Sequence, residues 1–66
     1  MHINKEDAYA YNNKGITLVC LKCYKKAIAS FDKAIRFDPD NADAYRNKGF
    51  ALSMLKQYKS ALEACI

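Results

Sequence analysis

Cys20-x-x-Cys23 has the spacing of a metal-binding or redox motif, and it is the first place in the sequence where chemistry could be sought. A structural zinc site needs four ligands, and the sequence contains no second pair of cysteines or histidines at a suitable spacing. A redox pair of this kind is expected between a strand and a helix, a context that the surrounding residues do not provide. We therefore interpret both cysteines as small apolar residues near a helix end, and we expect reduced thiols, no metal and no cofactor.

Other residue types that support catalysis do not form a recognisable set. His2 is the only histidine, and Asp38 and Asp40 flank Pro39 as turn residues usually do. The sequence has no glycine-rich phosphate loop and no Ser/His/Asp arrangement. We predict that the chain is not an enzyme and has no catalytic residues.

Five tyrosines and a formal net charge of +4 raise the alternative of nucleic-acid binding. The basic residues are dispersed along the chain, however, with only a loose group near the predicted turns. Four of the five tyrosines occupy matching places in two halves of the sequence, which favours packing over base stacking. The tyrosines are Tyr9, Tyr11, Tyr24, Tyr45 and Tyr58. Nucleic-acid binding is therefore kept only as a weaker alternative.

An internal repeat organises the 66 residues. The segment that begins at Ala8 matches the segment that begins at Ala42, and 12 of the 25 overlapping positions are identical without a gap. We assign residues 1–7 to a leader or the end of a preceding repeat, 8–41 to the first copy and 42–66 to the second copy. The second copy contains no equivalents of residues 33–37 and so has an incomplete second helix.

The apolar residues of each copy recur at three- and four-residue steps, which predicts helices rather than strands. We predict helices over about 7–21, 24–37, 41–55 and from 58 onward. Pro39 ends the second helix, and Asp40 or Asn41 can cap the third. The fold class is therefore all-α.

Small residues on the apolar stripes predict close contact between the two helices of each copy. Gly15 and Ala27 have this role in the first copy, and Gly49 and Ala61 in the second. The full set of predicted packing residues is Tyr11, Gly15, Leu18, Tyr24, Ala27, Phe31, Ala34, Pro39, Tyr45, Gly49, Leu52, Tyr58 and Ala61.

The pattern Tyr11-x-x-Lys14-Gly15-x-x-Leu18, followed by Ala27, Phe31 and Pro39 with a 34-residue period, resembles the tetratricopeptide repeat. That resemblance implies antiparallel helix-turn-helix units stacked as a short right-handed superhelix, an α-solenoid. Lys14 and Lys48 replace the usual leucine. We expect their aliphatic stems to lie along the hairpin with the ammonium groups in water.

The resemblance also implies a non-catalytic scaffold that binds a peptide or helix of another protein on its concave face. We predict that this face carries Tyr9, Asn12, Asn13, Ile16, Asp43, Arg46, Asn47 and Phe50. The alternatives are self-association through the truncated C-terminal hairpin and weak nucleic-acid binding. The sequence has no membrane-length apolar run or signal peptide, and we expect a cytoplasmic protein.

Overall fold

Three α-helices make up the part of the chain that the computed structural model describes, residues 3–57. They are α1 (Lys5–Cys20), α2 (Tyr24–Phe37) and α3 (Ala42–Gln57). The prediction of an all-α fold is confirmed. The predicted fourth helix, with Tyr58 and Ala61, lies outside the described residues.

Helix α1 begins two residues earlier than the sequence predicted, because Asn4 caps it. The Asn4 side-chain oxygen accepts a hydrogen bond from the Asp7 backbone N–H at 3.0 Å, and Glu6 and Asp7 place negative charge at the positive end of the helix dipole. The Asn4 backbone N–H donates to the Phe37 carbonyl oxygen at 2.8 Å. The start of α1 is thereby attached to the end of α2, which makes the two helices antiparallel.

The turn between α1 and α2 is a Schellman motif. Cys23 N–H donates to Leu18 O at 2.7 Å and Lys22 N–H donates to Val19 O at 2.9 Å, the two bonds that define this motif. Lys22 adopts a left-handed conformation with φ of 61°, which is unfavourable for a residue with a Cβ. Cys23, the next residue in the chain, is buried. It is the N-cap residue of α2.

The connection between α2 and α3 is built by short polar side chains around Pro39. Asn41 N–H donates to Asp38 O at 3.0 Å, and Ala44 N–H donates to the Asn41 side-chain oxygen at 3.2 Å. Asn41 is therefore the N-terminal cap of α3, one of the two candidates that the sequence offered.

Helix α3 breaks the symmetry of the repeat at its C-terminal end. Its residue equivalent to Cys20, the last residue of α1, is Met54, yet α3 continues to Gln57. The sequence predicted that this helix ends at about residue 55, and that end point is wrong. The same Leu-Lys dipeptide ends α1 in the first copy and continues α3 in the second.

Helix α2 lies between α1 and α3 and supplies the centre of the core. Phe31 and Ala27 of α2 are fully buried and cluster with Ala51 of α3. A Cβ atom built on Gly15 would lie 2.4 Å from Cε1 of Phe31. Gly15 therefore allows α1 to approach α2, as predicted, but the side chain that needs the space is Phe31.

Candidate functional site

Asn12 and Asn47 join α1 to α3. The Asn47 amide nitrogen donates to the Asn12 side-chain oxygen at 3.0 Å, and Asn12 is only 7% exposed. The sequence placed Asn12 among exposed ligand-binding residues, and that placement is wrong. Helix α3 packs beside α1 and covers Asn12, a tertiary effect that the repeat pattern of α1 alone does not reveal.

Most of the other predicted binding residues are exposed. Tyr9 is 68% exposed, and Ile16 and Phe50 are also exposed large side chains. Asn13 is exposed on α1, whereas Asn47 is half-buried because of its bond to Asn12. Solvent-exposed apolar residues of this size on neighbouring helices supply contact area for a ligand.

Asp43 and Arg46 form an exposed ion pair with each other on the first turns of α3. The sequence treated Arg46 as a group for pairing with a ligand carboxylate. In the structure that arginine already has an acidic partner three residues earlier. A ligand carboxylate would have to compete with Asp43, and exposed pairs of this kind exchange at little cost.

The predicted packing residues of the first copy lie where α1, α2 and the following loop meet. Tyr24, Ala27, Phe31 and Ala34 are buried, and Leu18 and Pro39 are half-buried. The Tyr11 ring stacks on Phe37 with centroids 5.6 Å apart. Tyr11 therefore packs against the end of α2, a partner that the sequence did not identify.

The equivalent residues of the second copy are much more exposed. Tyr45 is 52% exposed and Leu52 is 46% exposed, and no described atom lies within 4 Å of a Cβ built on Gly49. The expectation that these residues pack as Tyr11, Gly15 and Leu18 do involves Tyr58 and Ala61, which lie outside the described residues, and it stays a prediction.

Lys48 forms an ion pair across the boundary between the two copies. Its ammonium nitrogen lies 2.6 Å from Oδ1 of Asp32 on α2, with both side chains partly exposed. The sequence predicted an ammonium group in water and missed Asp32 as its partner. Asp32 lies two positions after the buried Ser30 and next to Phe31, so the pair sits at the edge of the core.

Cys20 and Cys23 of the Cys20-x-x-Cys23 motif differ in exposure. Cys20 is an exposed free thiol, whereas Cys23 is buried. The expectation of a reduced thiol stays a prediction for Cys23. Because Cys20 is free, the motif does not form an internal disulfide.

Neither a metal cluster nor a membrane span is found between residues 3 and 57. No three His, Cys, Asp or Glu side chains group there as metal ligands would. No helix in the same range has the length and apolarity needed to cross a bilayer.

A family model described as the TPR repeat matches residues 21–56, more than half of the chain. The matched segment contains all of α2 and almost all of α3, together with the turn before α2 and the loop between the helices. No curated protein matches the chain, and no solved structure does.

Proposed function

Because the chain belongs to the tetratricopeptide repeat family, whose members are non-catalytic protein-interaction modules, we propose that it is a scaffold that binds a peptide or helix of another protein. We place the ligand on the surface that we call the α1–α3 face. Its residues are Tyr9, Asn13 and Ile16 of α1 and Asp43, Arg46, Asn47 and Phe50 of α3. The observation that carries the proposal is the Asn12–Asn47 bond between two helices that keep large apolar side chains in solvent.

The bond between Asn12 and Asn47 brings the exposed residues of the two helices toward each other. Both α1 and α3 are antiparallel to α2, so they run in the same direction. Ile16 follows Asn12 by four residues and Phe50 follows Asn47 by three, about one helical turn in each case. Ile16 and Phe50 therefore flank the same junction and are placed to contact one ligand.

The chemistry of the face suits a peptide with apolar anchors. Ile16 and Phe50 supply apolar area, and the exposed amide of Asn13 offers both a donor and an acceptor to a peptide backbone. Arg46 can exchange Asp43 for a ligand carboxylate. A single exposed phenylalanine or tyrosine side chain can carry much of the binding energy in a small interface.

The test uses peptides selected from a random library against the full chain. We expect Ile16→Ala and Phe50→Ala to weaken binding of a selected peptide about ten-fold or more, because buried large apolar side chains dominate such interfaces. Leu52→Ala is the matched control, since Leu52 is exposed on α3 and its position five residues after Asn47 places it about 140° around the helix axis from Asn47. Equal losses for all three variants would contradict this assignment of the binding surface.

Nucleic acid is distinguished in the same experiment by its salt dependence. If single-stranded DNA bound with an affinity that fell steeply as salt was raised, and Ile16→Ala left that affinity unchanged, the weaker alternative would replace the proposal.

Self-association is a second candidate function, favoured by the continuation of α3 to Gln57. A hairpin turn at residues 55–57 would fold the subsequent residues back onto Tyr45 and Leu52. A helix that continues straight through these positions is compatible with exchange of the following segment between copies, and such an exchange is a low-cost route to dimers. The half-exposed Tyr45 and Leu52 are the surface that an exchanged helix would cover.

Light scattering over a concentration series tests the exchange. Lys56→Gly should shift the protein toward monomer, because glycine weakens the helix at this position and favours a turn. The same substitution at the equivalent Lys22 is the control and should leave the mass unchanged. A monomer at every concentration for the unmodified chain would contradict self-association.

A further inference from the structure

The hydrogen bond between Asn12 and Asn47 uses only part of the bonding capacity of the two side chains. A carboxamide has an oxygen that accepts hydrogen bonds and a nitrogen with two N–H donors. The bond occupies Oδ1 of Asn12 and one N–H of Asn47. Nδ2 of Asn12 and Oδ1 of Asn47 have no hydrogen-bond partner among residues 3–57. The pair therefore has one unused donor and one unused acceptor, and this remains true if both amides are turned over.

The unused atoms of this pair reach solvent through the α1–α3 face. Asn12 is only 7% exposed, and no side-chain nitrogen or oxygen in the described part of the chain is both fully buried and without a partner. The unused Asn12 nitrogen must therefore contact solvent. Solvent does not approach from the opposite side of α1 and α3, because α2 packs there around the buried Phe31 and Ala51.

Two apolar side chains flank the pair at a higher level. Ile16 is 42% exposed and Phe50 is 53% exposed, whereas Asn12 lies at the bottom of the junction between α1 and α3. A ligand that packs on Ile16 and Phe50 covers the pair and excludes water from it. The unused donor and acceptor then need partners from the ligand, because a buried polar group without a hydrogen bond weakens binding.

We propose that the Asn12–Asn47 pair binds the side-chain amide of a glutamine or asparagine in the ligand peptide. The amide oxygen of the ligand accepts a hydrogen bond from Asn12, and its nitrogen donates one to Asn47. A carboxylate has no donor and an ammonium group has no acceptor, so each leaves one atom of the pair unpaired. A side chain reaches the depth of Asn12, whereas the ligand backbone is kept at the level of Ile16 and Phe50. This inference rests on the proposed binding of a peptide by the α1–α3 face.

Three short peptides test the inference on the full chain. Their sequence is Gly-Ser-Leu-X-Phe-Ser-Gly, where X is glutamine, methionine or glutamate, and both ends are capped so that no terminal charge remains. Methionine has a length similar to that of glutamine but no amide, and glutamate has the same shape with a carboxylate. In a polyproline II conformation successive side chains point about 120° apart, which directs X between the two apolar anchors. Binding is followed by the amide chemical shifts of the protein.

We expect the glutamine peptide to bind at least about ten-fold more tightly than the methionine and glutamate peptides, because only glutamine satisfies both atoms of the pair. The shifts should include those of Ile16 and Phe50. The double variant Asn12→Leu/Asn47→Leu replaces both polar partners by apolar groups of similar size, a change that can be nearly neutral for stability. It should bind the methionine peptide at least as tightly as the glutamine peptide.

Gln57→Leu is the matched control, because it exchanges an exposed amide for leucine outside the α1–α3 face. It should retain the preference for the glutamine peptide. Circular dichroism checks that both variants are folded, and if the double variant is not, the comparison of the three peptides on the unmodified chain decides the question.

Equal affinities for the glutamine and methionine peptides, with shifts at Ile16 and Phe50, would overturn the amide site and leave peptide binding by the face intact. Tighter binding of the glutamate peptide would overturn the amide site in favour of a carboxylate site. Absence of saturable binding by the glutamine peptide would also overturn it, and the selection from a random library then decides separately whether the α1–α3 face binds peptides.

Discussion

Gly15 of α1 lies directly against the ring of Phe31 in α2, so closely that a Cβ on the glycine would be 2.4 Å from the ring atom Cε1. Phe31 is fully buried, and its ring cannot move aside without displacing Ala27 or Ala51. The contact thus couples the backbone of one helix to the largest fully buried side chain among the described residues of the next.

We predict that Gly15→Ala and Gly49→Ala have opposite effects on stability. At Gly15 the added methyl overpacks the core, and we expect a net loss of about 2 kcal/mol in the free energy of unfolding. At Gly49, where the described residues leave open space, only helix propensity acts, and we expect a gain of about 1 kcal/mol. Urea denaturation followed by circular dichroism measures both.

The pair is informative because the two glycines are equivalent in the repeat. A loss of stability at Gly49 similar to that at Gly15 would mean that a helix packs against Gly49 as α2 packs against Gly15. That result would overturn the predicted gain and would show that residues outside the described part of the chain occupy the space beside Gly49.

Phe31→Ala should remove most of the stability of the domain. Truncation of a buried phenylalanine costs about 3–5 kcal/mol, and a domain of this size rarely has more than about 3–5 kcal/mol in total. We expect a largely unfolded circular dichroism spectrum at room temperature. Phe50→Ala, at an exposed phenylalanine, is the control and should remain folded.

The helices and the loop at Pro39 could be predicted from the sequence because periodicity and proline act locally. The continuation of α3 to Gln57 could not be predicted in the same way. Leu21-Lys22 and Leu55-Lys56 are identical dipeptides at equivalent positions, yet Lys22 is left-handed and Lys56 is helical. The next residue accounts for the difference, because the buried Cys23 holds the first turn against the core whereas the polar Gln57 is exposed.

In the candidate site, too, the features that depend on helical spacing could be predicted, whereas those that depend on contacts between helices could not. Tyr9, Ile16 and Phe50 were placed correctly in solvent by helical spacing alone. The burial of Asn12 depends on α3, whose packing angle is not encoded in the periodicity of α1. For the same reason the Asp32–Lys48 pair was missed, because it joins residues from different copies.

Lys22→Gly should stabilise the protein. Lysine has a steric cost at φ of 61°, whereas glycine adopts this conformation without one, and glycine is the usual residue at this position of a Schellman motif. We expect a gain of roughly 1 kcal/mol, which corresponds to a rise of about 4–8 °C in Tm for a domain of this size. Lys25→Gly, within the first turns of α2, should instead lower Tm, and a decrease for both variants would contradict the role of the left-handed turn.

The hydrogen bond between Asn12 and Asn47 should appear as a coupling energy between the two copies. In a double-mutant cycle with Asn12→Ala and Asn47→Ala, we expect each single substitution to be destabilising and the coupling to be about 0.5–1.5 kcal/mol, the net value of a typical intramolecular hydrogen bond. Asn12→Ala should cost at least as much as Asn47→Ala, because Asn12 is the more deeply buried of the two. The control is Asn13→Ala, an exposed neighbour whose removal should change stability by less than about 0.5 kcal/mol. Strictly additive effects of the Asn12 and Asn47 substitutions in thermal and urea unfolding would show that this bond does not hold α3 against α1.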